Sequence, residues 1–99
     1  MANASVLLAT LADPTRRSLV ENLRSGPKTV GQLAGLTPVS RSAVSQHLQV
    51  LKAAEIVEER RQGTSHFYSL RPAALGELRA YVDQLWTDAL EAFGRNDDE

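Results

Sequence analysis

Residues 39–51, VSRSAVSQHLQVL, constrain the fold more than any other stretch. At about 100° per residue, Val44, Leu48 and Leu51 fall on one helical arc, with Ala43, Val50 and Ala54 beside them. Arg41, Ser42, Ser45, Gln46, Gln49 and Lys52 read as the opposite arc. The pattern predicts an amphipathic helix, capped by Ser40 and running to about Ala54. Its apolar stripe needs other elements to cover it. Its polar arc carries no acid, where a solvated helix usually carries Glu and Lys.

The flanking sequence supplies the covering elements. ASVLLATL, residues 4–11, predicts a short helix. Asp13 can cap a second helix with Pro14 at its first position. Leu19, Val20 and Leu23 carry that helix to Arg24, and Ser25-Gly26-Pro27 stops it. Thr29 and Gln32 match a capping box for a short third helix ending near Gly35. Leu36 to Val39 form the turn, because Pro38 disfavours a helical residue before it. After Ala54, IVEERRQGTSHFYSL predicts two strands around a Gln62-Gly63-Thr64 turn. His66, Tyr68 and Leu70 should share one face and Phe67 the other. Arg71-Pro72 opens a last helix to about Phe93, and GRNDDE is expected to fray. The order is helix, helix, helix-turn-helix, hairpin, helix, in one domain spanning residues 1–99 and ordered over about 5–93.

Composition narrows the classes. A 99-residue chain with 42% hydrophobic and 23% charged residues is an ordinary globular domain with a modest core, which favours a dimer. The chain has no cysteine, which removes disulfides and thiolate metal sites and fits a cytoplasmic protein. The early apolar run VLLATLA is too short for a membrane span and lacks the basic lead of a signal peptide. Net charge is −1, but residues 1–72 hold nine Lys and Arg against five Asp and Glu, and residues 73–99 hold two against seven. The first 72 residues are thus net positive, as a nucleic-acid face requires.

The acid-free arc carries the groups that read base edges: Arg toward guanine, Gln toward adenine, Ser toward either. A plain solvated face is the alternative. The preceding short helix and turn, and the hairpin with Arg60 and Arg61 near its tip, favour DNA. A solvated ribbon is the corresponding alternative for the hairpin. His47 lies by angle between Leu51 and Ala54, which predicts a half-buried, hydrogen-bonded side chain ahead of a phosphate contact or a metal ligand.

LADPTRRSLVENL, the continuous stretch from Thr29 to Leu70 and a last helix containing DQLW make the chain resemble the ArsR family of winged helix-turn-helix repressors. The likeness spans about residues 5–93. It implies a mainly α fold of about five helices with a β-hairpin wing, dimeric through the terminal helices. It implies that Arg41, Ser42, Ser45 and Gln46 read bases. Ser40, Gln49, Lys52, Arg61 and Thr64 match backbone contacts, and Arg16 and Arg17 could also meet phosphate, or form a solvated pair. The implied ligand is an imperfect palindromic operator in double-stranded DNA. Metal-responsive members use a cysteine pair in the third helix, or His and acidic ligands in the last. Here the third helix reads VGQLAGL, and the last offers Asp83, Asp88 and Glu91 without histidine. The resemblance is therefore to members that work without metal or other cofactor.

Leu75, Leu78, Val82, Leu85 and Ala89 alternate by three and four in the last helix, widened by Trp86, Leu90 and Phe93. That stripe is too wide for the chain's own core. With Val6, Leu7 and Leu11 of the first helix, it is the expected dimer surface, formed by Leu78, Val82, Leu85, Trp86 and Leu90. Catalysis is not expected: GxSxG, a phosphate-cradling glycine loop and HExxH are all missing, and Ser65 and His66 point to opposite faces of a strand. The alternatives are a winged helix that binds protein, and a repressor released by a small ligand at the dimer interface.

Overall fold

A computed structural model describes residues 3–97, with side chains through Arg95. Five α-helices and a hairpin follow in the order expected: α1 Ala4–Leu11, α2 Pro14–Asn22, α3 Val30–Ala34, α4 Arg41–Ala53, β1 Val57–Gln62, β2 Ser65–Leu70 and α5 Pro72–Asp97. A 3₁₀ turn, Leu23–Ser25, finishes α2, so the second helix changes pitch before Arg24.

Local chemistry sets the helix starts. The side chains of Asn3, Asp13, Thr29 and Ser40 each accept a backbone N–H from the first turn they cap. The Thr29–Gln32 capping box is complete in both directions. The end of α4 is a Schellman motif: the Ile56 N–H donates to Leu51 O and the Glu55 N–H to Lys52 O. Glu55 takes the left-handed conformation there, with φ 61°, at a position usually given to glycine. That cap turns the chain from α4 directly into β1.

β1 and β2 pair antiparallel, from Val57 opposite Leu70 to Gln62 opposite Ser65. Gly63 and Thr64 make the turn, and Gly63 has φ +63°, the requirement of a type II′ turn at its first central residue. A third short segment joins this ribbon. Lys28 exchanges two backbone hydrogen bonds with Tyr68, at 3.0 and 2.8 Å, and so pins the approach to α3 against β2. Tyr68 is buried as its strand face requires, but His66 on the same face lies beyond the core and is exposed.

The core gathers Leu7, Leu19, Leu23, Leu33, Val44, Leu48, Leu51, Ile56, Val57, Tyr68 and Ala74. Every helix contributes, but α5 gives only Ala74, with Leu78 packed against the edge. The rest of α5 projects away, and the molecule measures 64 × 25 × 21 Å. The helix does not end near Phe93: Gly94–Asp97 continue it, and residues 98–99 lie outside the described residues.

Candidate nucleic-acid interface

The helix α4 is seated by Val44, Leu48 and Leu51, all fully buried. Its outer face divides into two parts. Ser42, Gln46 and Gln49 are exposed and look away from the core. Among the described residues, Ser42 and Gln46 make no side-chain hydrogen bond. This is an acid-free row of short polar groups, with no competing partner at two of its three positions.

Arg41, Ser45 and Lys52 do not lie on that front. Arg41 is seven residues before Leu48, which places it about 20° from Leu48 in helical azimuth. The broad arc read from the sequence merged this inner flank with the front. The flank faces the hairpin: Arg41 lines a groove of about 520 Å³ with α3, Thr64, His66 and Glu59. Ser45 is half-buried.

Lys52, expected at a phosphate, donates to Glu59 of β1 at 2.8 Å. His66 of β2 contacts the other oxygen of Glu59 at 2.6 Å. One carboxylate thus ties the end of α4 to both strands. Lys52, donating its hydrogen bond, holds the Glu59 carboxyl below its ordinary range, and the His66 contact adds to this against the effect of burial. The same bond holds the Lys52 ammonium above its usual value. Burial pushes the nearby Tyr68 hydroxyl up, so it stays neutral, within 3.5 Å of the Gln49 amide. Lys52 and Gln49 are therefore engaged inside the fold as well as placed beside the expected interface.

Arg16 also has an internal role. Its Nε donates to the Thr10 carbonyl oxygen at 2.7 Å, at the end of α1, and its Nη1 lies 3.5 Å from His47 Nδ1 on α4. Arg16 thus braces α1, α2 and α4. His47 is half-buried against it, as its azimuth predicts. Arg17 is exposed. Ser40 accepts the Ala43 N–H, which leaves its own hydroxyl proton free to donate. Arg61 and Thr64 are exposed at the hairpin tip.

Sequence reasoning passed over Glu59. An acid in a basic hairpin looks like a solvated charge, and only the packing of β1 against α4 and β2 gives it Lys52 and His66 as partners. Val50 is another departure: it was placed beside the apolar stripe but is exposed on the α2 side of α4.

The model of the bacterial regulatory proteins of the arsR family matches residues 13–59, which run from the cap of α2 to β1. The HTH-type transcriptional regulator Rv2034 of Mycobacterium tuberculosis (strain ATCC 25618 / H37Rv) is 52% identical over 85 residues, covering 86% of this chain and 79% of that protein. The chain belongs to the arsR family. The transcriptional repressor SdpR of Bacillus subtilis (strain 168) is 37% identical over 65 residues, covering 66% of this chain and 72% of that one. A crystal structure described as a possible transcriptional regulator for arsenical resistance is 46% identical. It covers 90% of this chain and 93% of its own, with a TM-score of 0.73. The family's members are DNA-binding helix-turn-helix regulators and not enzymes, and this chain has their fold. In family terms α3 and α4 are the helix-turn-helix, α4 is the recognition helix, and the hairpin is the wing.

The expected dimer surface divides. Leu7 is fully buried in the chain's own core and cannot serve it. Leu11 and Leu78 pack against that core and are partly covered. Val6, Val82, Leu85, Trp86 and Leu90 are exposed, Trp86 by 66%, and Phe93 extends the face at 67%.

Proposed function

We propose that the chain is a homodimeric transcriptional repressor that reads an imperfect palindromic operator in duplex DNA without a metal ion. The front of α4 carries this reading: an acid-free row, seated on a rigid core, with the wing directly beside it. Ser42 and Gln46, exposed on that front, face base edges, with Ser45 on the flank beside them. Ser40, Arg17, Arg61 and Thr64 hold the flanking backbone, with Gln49 and Lys52 at its margin. The protein then works in the cytoplasm, where the chromosome is, and blocks a promoter by occupying it.

Dimerisation is supported by α5. Val82, Leu85, Trp86, Leu90 and Phe93 form an apolar face on a projecting helix, with Val6 of α1 nearby in the fold. A contiguous apolar surface of this kind marks an interface. Two copies place two recognition helices about one helical turn apart, which a two-fold symmetric site matches. The metal-free mode is supported by the donor set. The chain has no cysteine, and among the described residues no three His, Asp or Glu side chains gather within reach of one ion.

Selection of bound fragments from random duplex DNA at two salt concentrations tests the reading. The expected result is an enriched imperfect palindrome whose binding falls steeply with salt. Sequence-blind binding, or none, would sink it and leave a winged helix that docks on protein.

A further inference from the structure

Arg41 opens the recognition helix and carries the chemistry of a guanine contact. Its position suits a different ligand. Arg41 and Gln46 are five residues apart, which separates them by about 140° of helical azimuth. Gln46 looks out from the front of α4, and Arg41 looks into the groove beside the wing. The guanidinium lies over Gly31 of α3: a Cβ built on Gly31 would sit 3.7 Å from Arg41 Nη1 and 3.9 Å from Cζ.

The groove has the chemistry of an anion site. Its one acid is Glu59, and Lys52 and His66 already hold that carboxylate. Among the described residues Arg41 makes no ion pair. Thr64 and Ser65 bring hydroxyls to the wing side of the groove. An unpaired guanidinium between helix and wing, with hydroxyl donors opposite, suits a singly charged oxygen ligand. On a duplex lying across α4 and the wing, the phosphodiester backbone is that ligand.

We propose that Arg41 is a backbone clamp and not a base reader: it holds one phosphodiester of the operator in the groove between α3 and the wing. This fixes the depth and register of α4, and leaves base discrimination to Ser42 and Gln46 on the front. The inference rests on the duplex-binding reading above.

The test compares wild type, Arg41→Ala and Arg41→Lys on a selected duplex and on one of equal length with the selected positions scrambled. Arg41→Ala should weaken both by the same factor, about 3- to 30-fold at low salt, and reduce the slope of log affinity against log salt by about 0.9. Arg41→Lys should recover most of the loss on both, because a phosphate accepts a point charge where a guanine edge needs the bidentate fork. Neutral methylphosphonates, placed singly along each half-site, should include one position at which wild type and Arg41→Ala bind equally. A loss confined to the selected duplex, unrescued by lysine, would overturn the proposal and return Arg41 to base reading. Wild type that binds neither duplex would remove the DNA reading itself, and the clamp with it. Circular dichroism of Arg41→Ala separates lost contact from lost fold, and its exposed side chain predicts an unchanged spectrum.

Discussion

Arg16 shows how a residue's role depends on partners far along the chain. As one of two adjacent arginines near the start of a helix, it looks available to phosphate. Its partners are Thr10, six residues back, and His47, thirty-one ahead, and only the packed fold brings them together. Arg16→Ala should lower stability by about 1–3 kcal/mol, the usual range for losing a hydrogen bond from a charged donor. Urea unfolding measures this. If stability is unchanged while the salt dependence of DNA binding falls, Arg16 is a phosphate contact after all. Glu59 gives a second residue-scale test. A carboxyl held low in the folded state adds stability above its unfolded value, near 4.3, and loses it as pH falls through the folded value. Wild type should therefore melt above Glu59→Gln by a few degrees at pH 7, and the two should converge as pH falls through the lowered folded value. A constant gap across that range would show that the loss is one of packing and not of charge.

At the scale of elements, the legible features were those made by neighbours in sequence. The caps at Asp13, Thr29 and Ser40, the Pro38 turn and the Gly63 hairpin depend on residues within a few positions, and they stand where their spacing placed them. The Lys28–Tyr68 bridge was hidden, because it joins a loop to a strand forty residues later through backbone groups that carry no side-chain signal. The flank of α4 was hidden for another reason. A polar residue at a helix start can sit over the core's own azimuth and still meet solvent, so polarity alone did not separate Arg41 from Gln46. The wing turn yields a direct prediction. Gly63→Val places a β-branched residue at positive φ, an outlier conformation, and should distort the tip. Duplex affinity should fall several-fold while sedimentation still shows a dimer. Unchanged affinity would mean the tip does not touch DNA.

The whole molecule is a small head with a long arm. Val82, Leu85, Trp86, Leu90 and Phe93 of the arm stay exposed against the described residues, as the wide heptad-like stripe already suggested. The sequence overcounted by assigning Leu7 to that surface, because burial depends on how α1 leans on the core and its own periodicity leaves both sides apolar. Trp86→Glu should leave the head folded, since Trp86 touches none of the core. It should convert the protein to a monomer at micromolar concentration by sedimentation equilibrium, and weaken operator binding at least tenfold. A variant that stays dimeric would move the interface away from α5.

In the proposed dimer, two copies of α4 read one duplex. The most direct test measures mass and affinity together, on a selected palindrome and on the same duplex with one half-site scrambled, at a single fixed salt concentration. Two chains should sit on the intact site, and affinity for the half-scrambled one should fall at least a hundredfold, since each mismatched pair costs about 1–3 kcal/mol. One chain per intact duplex, or equal affinity for both, would contradict it.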